Sequence, residues 1–337
     1  MHVGGRSLLL AVATVLLLSA PHPALADSAR TLCTIRDQRI DESSGLAASA
    51  DRLWTINDGG TRLRVFELDR SCRVLRTIEA GIDPYDVEDL ARARDGTFWL
   101  ADIGDNGLNR STVAVERLRP DGSATLFRLT YPDGPHDAEA LLLTPTGQLF
   151  IATKEPLDSN VYTPAGPLSA TRATPLRKVA STGFLPTGTA GGPVGAAGQV
   201  VVTGGAVSPD GRTVVLRTYT DAYVWSAPDG DVAAAISSGR RRRIPLPPTA
   251  QGEAVTVTPD GRSLLTSTEG MPAPVQEIPL GAAAPSPTPT RAAAAPAAAG
   301  PAEPDSEPGD LLRTLVAPLV VVVAIGAALS YAVTRRR

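Results

Sequence analysis

The stretch HDAEALLLTPTGQLFIATKE, residues 136–155, has an acidic opening, an apolar run, a Thr-Gly turn, a second apolar run and a polar close. Two short apolar runs joined by turn residues form the pattern of a β-hairpin. Four other stretches repeat it: DVEDLARARDGTFWLAD at 86–102, QGEAVTVTPDGRSLLTSTE at 251–269, TGGAVSPDGRTVVLRTY at 203–219 and, more loosely, ESSGLAASADRLWTIND at 42–58. Superposed, they place Ser44, Glu88, Glu139, Gly205 and Glu253 at one position, at intervals of 44, 51, 66 and 48 residues. Fourteen residues further on lie Asp58, Asp102, Thr153, Tyr219 and Ser267. A lone small sheet cannot bury both faces, whereas sheets stacked radially can, and periods near 50 suit that solution. The chain is therefore expected to be all-β, a β-propeller of five or six four-stranded blades. The interval of 66 residues is long for one blade and short for two.

Outward from the repeats, Pro-Asp-Gly recurs at 120–122, 132–134, 209–211, 228–230 and 259–261. Proline presets φ, aspartate caps the turn and glycine takes the positive φ, so these sites are read as hairpin turns. No amphipathic helix of useful length appears, and the propeller is expected to fill residues 27–280. Aromatic residues make up only 4% of the chain, so the core must be aliphatic. Trp54, Trp99 and Phe150 share a repeat position and are read as packing residues.

Both ends change character. Residues 1–26 carry Arg6, an apolar run at 8–18 and Ala24-Leu25-Ala26, the layout of a secretory signal peptide. Residues 281–310 are rich in Ala and Pro and read as a disordered stalk, up to roughly 90 Å long at about 3.1 Å per residue. Residues 311–334 are expected to form a transmembrane helix around the unbroken apolar run at 315–333, with a basic cytoplasmic tail at 335–337. The expected location is the cell membrane, single-pass, with the propeller outside. Exported thiols oxidise, and Cys33 and Cys72 are the chain's two cysteines. If residues 31–36 close the ring against the last blade, a Cys33–Cys72 bridge would reinforce the seam. Arginines 240–243 read as a solvated loop, with anionic wall polymer or lipid as the alternative contact. A net charge of −3 gives no support for nucleic-acid binding, and no nucleic-acid partner is expected. Two lysines, Lys154 and Lys178, among 32 basic residues fit a high-GC bacterium.

Beyond the signal peptide His136 is the only histidine, which excludes multi-histidine zinc sites, and no P-loop, Rossmann or G-x-S-x-G motif is present. Carboxylates remain. Residues at one repeat position of a propeller converge on its axis, so Glu88, Glu139 and Glu253 are expected to meet there. Three like charges need protons or a cation, and oxygen ligands suit Ca²⁺. Pairing with nearby arginines, or capping of backbone amides, is the alternative.

The motif D-x-E-x-L at 137–141, followed by G-x-L-F-I-A-T-K-E at 147–155 and echoed at 86–90 and in DIGDN at 102–106, resembles the secreted phytase-like β-propellers described as having "esterase-like activity of phytase". The resemblance spans most of residues 40–270. It implies a propeller and, by analogy with calcium-dependent phytases, a phosphoester hydrolase. Glu88, Glu139 and Glu253 would then hold Ca²⁺, with Asp102 and Asp105 completing or orienting the site. Arg110, Lys154 and Arg217 would neutralise phosphate, leaving Asp102, Lys154 and Arg217 as candidate catalytic residues. The chain departs from that pattern at Ser44 and Gly205, where a carboxylate would help. Two functions follow from the sequence. One is a surface-tethered binding or scaffold module for a wall polymer, a phosphorylated ligand or another surface protein; the other is the hydrolase. The missing carboxylates and modest charge favour binding.

Overall fold

Each Gly turn of the repeat closes a hairpin in the computed structural model, which describes residues 29–281. Gly147, Gly211 and Gly261 take φ of 86°, 79° and 70°, the left-handed conformation that an L side chain resists. The strands are β1 (Arg30–Ile35), then β2 (Ser43–Ala48), β3 (Arg52–Asn57), β4 (Leu63–Asp69) and β5 (Val74–Ala80), which form the first blade. The second is β6 (Val87–Arg92), β7 (Phe98–Asp102), β8 (Val113–Leu118) and β9 (Ala124–Thr130). The third is β10 (Ala138–Leu143), β11 (Leu149–Thr153), β12 (Ser159–Pro164) and β13 (Thr174–Thr182). The fourth is β14 (Val202–Val207), β15 (Thr213–Thr218), β16 (Asp221–Ser226) and β17 (Arg241–Pro245). In the fifth, β18 (Gly252–Val257), β19 (Ser263–Thr268) and β20 (Ala273–Pro279) are completed by β1, which pairs antiparallel with β20. Strands β2, β6, β10, β14 and β18 neighbour one another around the axis.

The described residues thus form a β-propeller of five blades. A short parallel pairing of Thr174 with Leu129 and Pro175 with Thr130 joins the outer edges of blades two and three into one eight-stranded sheet. The 66-residue interval needs no extra blade. It is filled by a nine-residue β13 and by the connection 183–201, which includes one 3-10 turn at Gly195–Gln199. The seam closes as expected, and Cys33 of β1 is bonded to Cys72 in the β4–β5 turn of blade one, with Cα atoms 5.6 Å apart.

Apolar residues of facing blades fill the space between them. Ala140, Leu142, Val161, Val202, Val214 and Trp225 pack between blades three and four, together with the short helix α1 (Val232–Ser237). Trp54 and Phe150 are buried as packing residues, and Trp99 stacks on Phe127 with centroids 5.9 Å apart. The arginine run is not a loop. Residues 241–243 lie in β17, Arg241 sits over Phe184, Tyr223 and Trp225, and Arg243 pairs with Asp221 at 2.6 Å. Two of the Pro-Asp-Gly sites are not hairpin turns either: 132–134 lies in the connection between blades two and three, and 228–230 leads into α1.

Strand direction sorts the connections onto two faces. The starts of the inner strands and the ends of the second strands share one face. Arg30 pairs with Glu277 and Ser263 with Pro279, so both ends of the described chain, Ala29 and Gly281, leave from the opposite face. Among the described residues no helix is long and apolar enough to cross a membrane. The expected signal peptide, stalk and transmembrane segment lie outside the described residues, apart from Gly281 itself.

Candidate metal centre

Every inner strand carries a bulge near its start. Val87 pairs with Asp102 and Asp89 with Ala101, leaving Glu88 unpaired. The register breaks in the same way between Ala138 and Ala140, Val202 and Gly204, Ser43 and Leu46, and Gly252 and Val255. A bulge re-aims the extra side chain, here those of Ser44, Glu88, Glu139, Thr203 and Glu253. The register therefore corrects the sequence superposition in blade four, where Thr203 and not Gly205 holds the repeat position. Gly205 is instead a point of close packing: a Cβ there would lie 2.9 Å from Leu142 Cδ2.

The same register defines two further tiers at this end of the channel. One residue beyond the partner of each first strand residue come Asp58, Ile103, Lys154, Tyr219 and Glu269. Two residues before each bulged position come Glu42, Asp86, Asp137, Val201 and Gln251. Asp58, Asp86 and Glu88, one from each tier, each offer a carboxylate oxygen, and these oxygens lie within 4.8 Å of one another. Gly104 makes room for them, since a Cβ there would fall 2.2 Å from Glu88 Oε1 and 2.4 Å from Asp86 Oδ2.

Burial, then the charges of Asp86, Glu253 and Glu42, hold the Asp58 carboxyl well above the usual range. Glu88 is raised well above it too, by burial and then by Asp58 and Asp86. Asp86 is raised by burial and by Asp137 and Asp102, against the opposing pull of a hydrogen bond with Asp58 and of Arg110. Two carboxyl groups that share a hydrogen bond must hold a proton between them. Glu269 is pushed up to about 9 by burial and the neighbouring Glu253, Asp58 and Glu42. Three carboxylates above a glycine floor fit a hard divalent cation, whose remaining oxygen ligands would be water or ligand atoms.

The other candidates are spread over different tasks. Glu139 is paired with Lys154, whose ammonium lies 5.6 Å from the Tyr219 ring centroid. Burial alone would lower the Lys154 pKa, but Tyr219, Glu253, Asp137 and Glu88 raise it well above its ordinary value. Glu253 is buried beside the trio and acts on it through its charge. Asp102 turns away from the trio. It accepts hydrogen bonds from the backbone amides of Tyr85 and Asp86, both at 3.0 Å, and is paired with Arg110 at 2.8 Å. Arg110 also donates to the Gly104 carbonyl and lies over the Tyr85 ring. Asp105 accepts from the amides of Asn109 and Arg110 and so closes its own loop. Arg217 is fully buried and donates to the carbonyls of Ala254 and Ser267, and burial brings its pKa down to about 10. His136 stands apart, hydrogen-bonded with Glu155, Asp133 and Tyr162.

Of the three glutamates expected to bind a cation, one joins the trio. Its companions Asp58 and Asp86 were missed, although D-V-E at 86–88, like D-A-E at 137–139, carried a second carboxylate two residues before the first.

No protein-family description matches the chain, and no curated protein does so either. Among solved structures it is similar to a gluconolactonase of Xanthomonas campestris at 20% identity and a TM-score of 0.42, over 70% of this chain and 71% of that one. It is similar to a putative gluconolactonase at 15% identity and a TM-score of 0.39, over 74% and 91%. A streptogramin B lyase aligns at 12% identity and a TM-score of 0.40, over 75% and 98%.

Proposed function

We propose that the protein is a membrane-tethered, extracytoplasmic propeller that binds a divalent cation, Ca²⁺ by its ligand chemistry, at the mouth of its central channel and serves as a binding module there. The observation that carries this reading is the convergence of Asp58, Asp86 and Glu88 over Gly104. The surrounding charge supports binding over phosphoester hydrolysis. Of the three cations that would receive phosphate, Arg110 is paired with Asp102, Arg217 with backbone carbonyls and Lys154 with Glu139. A mouth left so acidic repels an anion until a cation is in place, so an anionic wall polymer or phosphorylated ligand would engage it through that cation.

The test is thermal unfolding of the full chain in detergent. Calcium at a hundredfold excess over its Kd should add about 2.7 kcal/mol of stability by binding the native state alone. Asp58→Asn should remove that shift and Glu139→Gln should keep it. Absence of any calcium shift in the wild type would sink the reading. The hydrolase remains the second reading because Lys154 and Tyr219 share this mouth. Turnover of a generic phosphomonoester that needs both calcium and Lys154 would select it.

A further inference from the structure

The cation trio has exposed apolar neighbours. Among the described residues, Tyr85 and Leu108 are large apolar side chains that stand open on blade two at the mouth face, 62% and 56% exposed. Tyr85 immediately precedes Asp86, and Leu108 lies in the β7–β8 connection that begins at Ile103 and Gly104, the floor of the trio.

Neither is loose. The Tyr85 amide donates to Asp102 at 3.0 Å, and the Arg110 guanidinium lies over one face of the Tyr85 ring, 4.5 Å from its centroid. Arg110 is itself held by Asp102 at 2.8 Å and by the Gly104 carbonyl at 2.7 Å, so one guanidinium links the ring to the glycine beneath the carboxylates. The Leu108 loop is pinned by Asp105, which accepts from the amides of Asn109 and Arg110 and donates its own amide to Asp137. With one ring face covered and most of the residue open, the other face is a flat apolar platform whose order is in place before a ligand arrives.

A ligand that meets both the platform and the cation needs a flat apolar face and, at its edge, oxygen atoms for the positions that three carboxylates leave open. A sugar ring has both, a C–H face and adjacent hydroxyls. Hydroxyls carry no charge, so they approach an acidic mouth without the repulsion that meets an anion there. A protein partner would need roughly 800 Å² of contact on this side. The next exposed apolar side chains of the face belong to other sectors, Leu185 to the connection between blades three and four and Met271 to the β19–β20 turn.

We propose that the mouth binds a neutral glycan, two adjacent hydroxyls of one sugar completing the shell of the cation and a ring of the same glycan stacking its C–H face on Tyr85, flanked by Leu108. This names a ligand for the proposed cation site and rests on that reading.

Isothermal titration of the full chain with cellohexaose and with mannohexaose tests it, in calcium and in a detergent without a sugar head. At least one glycan should bind saturably at roughly millimolar concentration, and chelator should abolish the binding. Tyr85→Ala should weaken it about tenfold or more, as loss of an aromatic anchor does, whereas Tyr85→Phe, which keeps the ring, should retain it. If calcium raises the melting temperature but neither glycan binds, or if binding is indifferent to chelator or to Tyr85→Ala, the proposal is overturned and the cation reading stands. A wild-type protein with no calcium shift overturns both.

Discussion

Lys154 and Glu139 can be removed together more cheaply than apart. Their side chains are 13% and 5% exposed, and a buried charge stripped of its partner costs roughly 3–5 kcal/mol. Lys154→Met should therefore destabilise the protein by about that amount in urea unfolding, and adding Glu139→Gln should recover much of it; two additive losses would mean that the pair is not coupled. At this scale the sequence was legible where side-chain type alone decides a role. Glu88 was marked as an axial carboxylate because its repeat position is fixed by the alternating apolar residues around it. The partners of the cations were hidden. Arg217 finds its carbonyls 37 and 50 residues away, and no local pattern records such a meeting. Asp102 looked like a ligand, yet it orders the amides at 85–86 and so holds Asp86 in place from behind.

The blade is the unit in which register matters. A shift of one residue sends every side chain to the other face, and the shared bulge is what lets each inner strand start on one face and continue on the other. In blade four Gly204 and Gly205 offer no side chain to mark the bulge, which is why the sequence superposition slipped there by two residues. The closing blade is built from both ends of the described chain, and its outer strand is held to blade one by the Cys33–Cys72 bond. With the cysteines 39 positions apart in sequence, the chain-entropy treatment values the bond at about 4 kcal/mol. Replacing both by serine should lower the melting temperature and expose β1 to protease before any other strand; first cleavage within another blade would show that the seam does not depend on the bond.

Across the whole molecule, buried acid sets the response to pH. Asp58, Asp86, Glu88 and Glu269 all have raised pKa values in the folded state, so between about 4, where they titrate unfolded, and the value of about 9 for Glu269 the native protein binds more protons than the unfolded chain. Stability then falls as pH rises through that window. In chelator the urea midpoint should be higher at pH 5.5 than at pH 8.5, and calcium, which competes with the shared proton, should stabilise more at the higher value. A calcium effect that shrinks as pH rises would contradict the assignment. The direction in which the ends leave has a practical sequel. Because Ala29 and Gly281 exit from the face opposite the carboxylates, a molecule grafted to a bead, chip or lipid film through either end would turn its anionic mouth to the open solution, ready to meet whatever diffuses past.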